Sequence, residues 1–319
     1  MKHLVLGASG FIGRNLIESI LNNSQDELIL FDKVETIFGR EISAEQKKRC
    51  RIIKDNFQLS TNFEQLTAGI DTVYHLISTT LPNNSNQNIG MGLMDNVIVT
   101  ASFLDACVKN GVKRVLFLSS GGTVYGVSAK MPLEETACNE PISGYGLQKI
   151  TIEKLLYLYW YLYGLDYRIV RLSNPYGKYQ KPNGIQGVMT TFVFRAMKGE
   201  PLYVYGDGLI IRDYIYIEDA IAAILNIAAY SGEYKVFNVG SGKGYSVNEI
   251  IKLIEMVLGK AVKVEYLDNR KADVPVNVLD ITRYEQCFGQ LIHVTLEQGI
   301  KKLYQYFAQL DCITPAEKV

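Results

Sequence analysis

Short apolar runs recur through the first half of the chain, separated by stretches with helical spacing. Runs at 4–6, 28–31, 51–53, 72–76, 115–118 and 167–171 are continuous rather than alternating, the pattern of strands covered on both faces. Between them, 97–108 and 151–162 have the length and period of helices. Strands alternating with helices predict an α/β fold with a doubly wound parallel sheet. After Arg171 the pattern changes, and glycine and proline punctuate residues 174–208. A later run, Val236–Val239, leads into Gly-Ser-Gly-Lys-Gly and reads as a return to the sheet. The predicted organisation is a nucleotide-binding domain over 1–172, rejoined by a segment within about 213–240. A smaller, discontinuous C-terminal lobe spans 173–319.

Composition narrows the function classes. The chain has 319 residues, 33 basic and 33 acidic, for a formal charge of zero. No global field favours nucleic acid or a membrane surface, so an anionic ligand needs a local site. Cys50, Cys107, Cys138, Cys287 and Cys312 are scattered and histidines number three, so neither a metal site nor a disulfide framework is expected. The opening MKHLVLGASGF is a strand running into a glycine turn, and no segment reads as membrane-spanning. The expected compartment is the cytoplasm.

The first turn, Gly7-Ala8-Ser9-Gly10-Phe11-Ile12-Gly13, follows a strand and opens a helix. Glycines at that spacing permit a tight turn, close approach of backbone to a pyrophosphate, and close helix–strand packing. The helix start then offers amide donors and a positive dipole end. Asp32 closes the second strand where a carboxylate can accept from the adenosine ribose. It would repel a 2′-phosphate, which favours NAD over NADP, although Lys33 stands beside it. Asp55, ending the third strand, is placed to meet the adenine.

Tyr145 and Lys149 are four apart and share one face of a helix. A tyrosine with its ordinary pKa of about 10 is a poor base, but an ammonium and a cationic nicotinamide ring would both favour the phenolate. A hydroxyl- and glycine-rich turn after the fifth strand, Ser119-Ser120-Gly121-Gly122-Thr123-Val124-Tyr125-Gly126, supplies further candidates.

GASGFIG, the aspartate after strand two, VYHLIS, SSGGTVYG, YGLQK, RLSNPYG and RDYIYIED occur here in the order seen in extended short-chain dehydrogenases. Over about residues 2–300 the chain resembles their sugar-nucleotide epimerase/dehydratase branch, and within it the UDP-hexose 4-epimerases. The resemblance implies a Rossmann domain binding NAD and a partner lobe binding a nucleotide-diphosphate sugar. It makes Tyr145 the acid/base and Lys149 its partner at the nicotinamide ribose. Cofactor contacts are implied at Gly7, Gly10, Phe11, Ile12, Gly13, Asp32, Lys33, Asp55, Asn56, Leu76, Ser78 and Asn96. Sugar-nucleotide contacts are implied at Asn174, Val188, Tyr205, Arg212, Arg270 and Asp273.

One position departs from that pattern. Where the epimerases carry a hydroxyl four residues before Tyr125, this chain has Gly121, leaving Thr123 or Ser120 to complete the site. Related dehydratases place an Asp-Glu pair where Gly122 and Thr123 stand, so elimination lacks its proton-transfer groups. C4 epimerisation through a 4-keto sugar is the expected reaction. Reduction of a 4-keto-6-deoxyhexose is the alternative, and a non-catalytic NAD-binding role is the alternative of another class. The row Tyr157, Tyr159, Tyr161, Tyr163 reads as a partly exposed helix face, and by resemblance that helix pairs with its twin in a homodimer.

Overall fold

The computed structural model describes residues 1–36, 38–39, 42–82, 84–128, 130–182, 187–268 and 274–313. The chain divides into two compact units. The first comprises Met1–Val127, Glu135–Leu172 and Ile224–Asn238, and the second Ser128–Glu134, Ser173–Ala223 and Val239–Val319.

In the first unit the apolar runs form β1 (Lys2–Leu6), β2 (Glu27–Asp32), β3 (Cys50–Lys54), β4 (Thr72–His75), β5 (Arg114–Ser120) and β6 (Asp166–Leu172). In the second lie β7 (Asn174–Tyr176), β8 (Leu202–Tyr205) and β9 (Ile211–Tyr216). The return strand is β10 (Val236–Val239), and β11 (Gly244–Ser246), β12 (Val264–Leu267) and β13 (Val276–Asn277) follow. The large sheet has the order β10-β6-β5-β4-β1-β2-β3. β1 pairs in parallel with both β2 and β4, β2 with β3, β4 with β5, and β5 with β6. The winding direction reverses between β1 and β4, the place where such sheets open a crevice at their carboxyl ends. All seven strands of this doubly wound sheet fall on the runs read from the sequence. The segment rejoining the first unit begins at Ile224 rather than near 213, because β9 pairs with β7, β11 and β13 instead.

Leu4, Leu6, Phe31, Val73, Phe103, Phe117 and Ile152 form the heart of the first unit's core. Each buried side chain of this size is worth about 1.5–3 kcal/mol. The long helix Gly144–Tyr163 begins at Ser143, whose hydroxyl accepts from the Gly146 amide, and ends at Gly164 with φ 71°.

Two expectations about helices need correction. The pattern at 97–108 is the second half of a longer run. Ile89–Gly92, a π-helical stretch Leu93–Ile98, and Val99–Lys109 follow without interruption. This run, Ile89–Lys109, is 21 residues long and apolar enough to cross a membrane, contrary to the reading that no segment was, although half of its apolar window is buried within the protein. Its early part escaped notice because the π-helical stretch shifts the side-chain period away from 3.6.

The second unit is organised around β9. β11 pairs with it antiparallel, and β13 and β7 pair with it parallel. Asp213 on β9 is fully buried and accepts from the Ser241 amide (2.6 Å) and hydroxyl (2.8 Å), and from the amides of Gly242 and Leu279. Burial pushes its carboxyl above the ordinary range against the pull of those bonds. A Cβ on Gly240 would lie 2.5 Å from the same carboxylate, which is why the glycine-rich turn can close over it. β8 and β12 make a separate two-stranded parallel sheet.

Candidate active site

The first unit gathers its candidate residues along the carboxyl ends of β1 to β5. At the first turn the Gly7 and Ala8 amides both donate to the Phe31 carbonyl, 2.9 and 3.3 Å away. Gly7 has φ +87°, and a Cβ there would meet the backbone of Leu76 and Ile77 at 3.3 Å. Gly13 is stricter. A Cβ would fall 2.2 Å from the Gly7 carbonyl oxygen and 2.9 Å from that of Ala8. The helix Phe11–Asn23 therefore lies directly on the turn, and its cap residue Gly10 offers no side chain to the first amides. Those amides are left for an anion at the helix start.

Asp32 is half-buried and turned onto this loop, where one oxygen accepts from the Ser9 amide (2.9 Å) and the other from Val34 (3.3 Å). Its oxygens retain lone pairs for a ribose. Lys33 is exposed beside it. Asp55 follows through a bond from its amide to the Asp32 carbonyl (3.0 Å). Asp55 and Asn56 are both exposed. A backbone cradle that any Cβ would fill, a helix start and an adjacent carboxylate together fit a dinucleotide.

Ser78 and Asn96 are placed differently from a simple contact set. The Ser78 hydroxyl donates to the Thr80 carbonyl (3.0 Å). Asn96 is buried and turned inward. Its oxygen accepts from the Thr79 amide (2.9 Å), and its nitrogen reaches the Thr79 hydroxyl, the Gly92 carbonyl and Gln148 Oε1. It clamps the loop after β4 to the helix that carries Tyr145.

That helix start is wedged tightly. A Cβ on Gly144 would be 2.5 Å from the Ser85 carbonyl oxygen, and one on Gly146 would be 2.5 Å from that of Thr123. The turn after β5 thus lies against the residue following Tyr145. Half-buried Thr123 has its Oγ1 enclosed with no hydrogen-bond partner, so it does not bond its own turn. The Gly121 amide donates to the Leu172 carbonyl (2.8 Å), fixing the turn to the end of β6. Half-buried Ser120 ends β5.

Lys149 is 4% exposed and donates to the Leu118 carbonyl (2.8 Å), with Nζ 5.5 Å from the centre of the Tyr145 ring and 4.7 Å from that of Phe117. Burial pulls its ammonium down to about 7, against an upward pull from Glu153. Burial pushes the Tyr145 phenol up to about 12. The ammonium and the cationic nicotinamide ring expected to favour the phenolate would act together against that burial.

The second unit brings Asn174 and Arg212 onto one sheet. Asn174 pairs in register with Tyr214 and donates its side-chain amide to the Asp213 carbonyl (2.8 Å). Arg212 is half-buried and donates to the Ile211 carbonyl (2.9 Å). Val188 opens the helix Val188–Lys198 after Gly187, whose φ is 79°. Tyr205 ends β8 on the separate small sheet and is exposed. Arg270 and Asp273 lie outside the described residues.

The sequence reading missed a buried group beneath Lys149. Glu153 and Arg171, each 4% exposed at the side chain, form an ion pair of 2.7 Å. Ser119 donates to Glu153 (2.5 Å), and Arg171 also donates to the Tyr125 hydroxyl (3.0 Å), which in turn donates to Asn238 (2.6 Å). The signal was present, since Glu153 is four residues beyond Lys149 on the same helix face.

Residues 3–240 match the family model described as the NAD dependent epimerase/dehydratase family. A dTDP-4-dehydro-6-deoxyglucose reductase of Escherichia coli is 32% identical, covering 94% of this chain and 95% of the relative. A UDP-glucose 4-epimerase of Mycolicibacterium smegmatis is 29% identical, covering 96% and 98%. The crystal structure of a UDP-glucose 4-epimerase from Thermotoga maritima, solved with UDP-glucose, superposes with a TM-score of 0.89 at 31% identity, covering 97% of this chain and 99% of the other.

Proposed function

Because the chain belongs to the NAD dependent epimerase/dehydratase family, whose cofactor is NAD, we propose that it inverts C4 of a nucleotide-diphosphate hexose through a 4-keto sugar. NAD, when bound, supplies a reversible hydride acceptor beside C4. Tyr145 takes the proton of the 4-hydroxyl and returns it after the sugar has turned. Lys149 holds positive charge under the phenol ring, which favours the phenolate, and Thr123 supplies the second hydrogen bond to the reacting oxygen. Gly7, Gly10, Phe11, Ile12 and Gly13 carry the cofactor pyrophosphate, and Asp32 its ribose. Asn174 and Arg212 hold the sugar diphosphate, for which an arginine fork is suited. UDP-glucose and its N-acetyl form are the substrates to be tried first.

The observation that carries this reading is the enclosed, unbonded Thr123 hydroxyl beside the start of the Tyr145 helix, in a turn with no carboxylate at Gly122 or Thr123. Elimination needs a proton-transfer group there. A second reading, reduction of a 4-keto-6-deoxyhexose, is favoured by the 32% identical reductase. Incubation with UDP-glucose, UDP-N-acetylglucosamine and a dTDP-4-keto-6-deoxyhexose separates the two. Interconversion of C4 epimers without net consumption of NADH supports epimerisation. Stoichiometric consumption of NADH or NADPH with the keto sugar alone replaces it with the reductase.

We propose a homodimer as well. Ile89, Met94 and Ile98 on one helical run, and Leu147, Leu158 and Tyr161 on the neighbouring Tyr145 helix, are exposed apolar residues. Tyr159, by contrast, is buried and donates to Asp105 (2.6 Å), so the tyrosine row is exposed at Tyr157, Tyr161 and Tyr163 only. Two copies joined through this face would hide it. Sedimentation of Tyr161→Glu as a monomer, against a dimeric parent, checks this.

A further inference from the structure

We infer that Glu153 is a positioning residue for the reaction: its carboxylate, locked from behind by Ser119 and Arg171, keeps Lys149 charged so that Lys149 can act on Tyr145. This rests on the proposed roles of Tyr145 and Lys149. Groups on three elements act on Lys149. On its own helix its ammonium lies over the Tyr145 ring and is drawn by the charge of Glu153, on β5 it meets the Phe117 ring and the Leu118 carbonyl, and on β4 it acts through its charge on His75. His75 gives no compensating charge. Burial first, and then the charge of Lys149, holds its imidazole down at about 3, and its Nε2 meets the Thr100 hydroxyl (3.1 Å). Among the described residues, Glu153 is therefore the anion that acts on a buried ammonium which desolvation drives toward neutrality.

Glu153 itself is fixed from two strands. Ser119 on β5 donates to Oε1, while Arg171 on β6 donates from Nε (3.1 Å) and Nη2 (2.7 Å). Arg171 is held in turn by the Tyr125 hydroxyl, the Glu135 carbonyl and Asn139. Burial pulls its guanidinium down, but the bond to Glu153 and its charge outweigh that and leave it above its ordinary value. Held by these bonds, the carboxylate cannot swing away from the helix face it shares with Lys149. The same Ser119 bond ties the charge-setting group to the residue preceding the Ser120–Thr123 turn.

The test uses the NAD-loaded protein and reads tyrosinate absorbance near 295 nm as the difference between the parent and Tyr145→Phe. This isolates ionisation of Tyr145 without any sugar. In Glu153→Gln the midpoint should rise by about half a pH unit or more, leaving at least about threefold less phenolate at fixed pH. With a substrate in hand, the acid limb of kcat moves up by the same amount and KM is unchanged. A midpoint within about 0.2 units of the parent overturns the inference, since a purely structural carboxylate would not move it. If Glu153→Gln does not fold, Glu153→Gln/Arg171→Met removes the buried pair together, which proteins often tolerate better than a single uncompensated charge. Glu153 acts on Lys149 and Arg171 is not among the groups that do, so an upward shift remains expected there, smaller because the Arg171 cation leaves with it. An unmoved midpoint, or loss of the fold in both variants, assigns Glu153 to stability alone and overturns the inference. If the NAD-loaded parent shows no Tyr145 ionisation at all, the roles of Tyr145 and Lys149 fail, and this inference falls with them.

Discussion

Replacing Thr123 by valine should move stability and activity in opposite directions. The Thr123 hydroxyl is enclosed and makes no bond to the protein. A buried polar group left in that state costs about 1–3 kcal/mol, and valine presents nearly the same shape without the group. The fold should therefore gain about 1 kcal/mol or more, seen as a rise of about 1.5 °C or more in Tm for a chain of 319 residues. The same hydroxyl is the proposed second donor to the reacting oxygen. Removing one such donor lowers kcat by about 10²-fold, or about 2.7 kcal/mol, and leaves KM nearly unchanged. Thermal unfolding by circular dichroism and initial rates on whichever sugar nucleotide is turned over measure the two quantities. A lower Tm with unchanged kcat would show a hydroxyl that serves the turn, and the reasoning would be refuted. Activity lost in Ser120→Ala but not in Thr123→Val would move the role to Ser120.

Tyr145→Phe should bind NAD as the parent does and lose about 10²–10⁴ of its turnover, checked by cofactor content and rate; activity within tenfold of the parent would exclude Tyr145 as the acid/base. Gly13→Ala must open the gap between helix and turn by about 1 Å, because its Cβ would lie 2.2 Å from the Gly7 oxygen; a loss of about 1–3 kcal/mol in stability and a clear fall in NAD affinity by calorimetry are expected. The chain should bind NADH more tightly than NADPH, and Asp32→Ala should narrow that difference in a fluorescence titration. Tighter NADPH binding by the parent would favour the reductase.

The large sheet was legible because all its strands but the edge strand β3 are largely buried on both faces and leave continuous apolar runs, as at Leu28, Ile29, Leu30 and Phe31. The small sheets were not. β7, β11 and β13 are two or three residues long, and their pairing partners are distant in sequence, so no local period marks them. The glycine turn, Asp32 and the Tyr145–Lys149 spacing were readable since each is a short motif with a local geometry. What tertiary packing decides stayed hidden. Asn96 is turned into the protein by Thr79 and Gln148, and burial rather than charge dominates Tyr145. Nothing local marks Asp213, next to Arg212, as the anchor of the Gly240–Gly242 turn.

β6 is completed at Leu172, but β10, which covers its open edge, begins only at Val236, 64 residues later in the chain. At a synthesis rate of about 5–20 residues per second, that interval lasts about 3–13 s. Throughout it Tyr167, Ile169 and Val170 stand on a strand whose amides and carbonyls have no partner on one side, among side chains that are all buried in the finished protein. Unpaired apolar edges recruit other chains. Nascent chains stalled or truncated between these two strands should therefore be drawn into aggregates or held by chaperones. Fast translation through residues 173–235 would favour soluble yield.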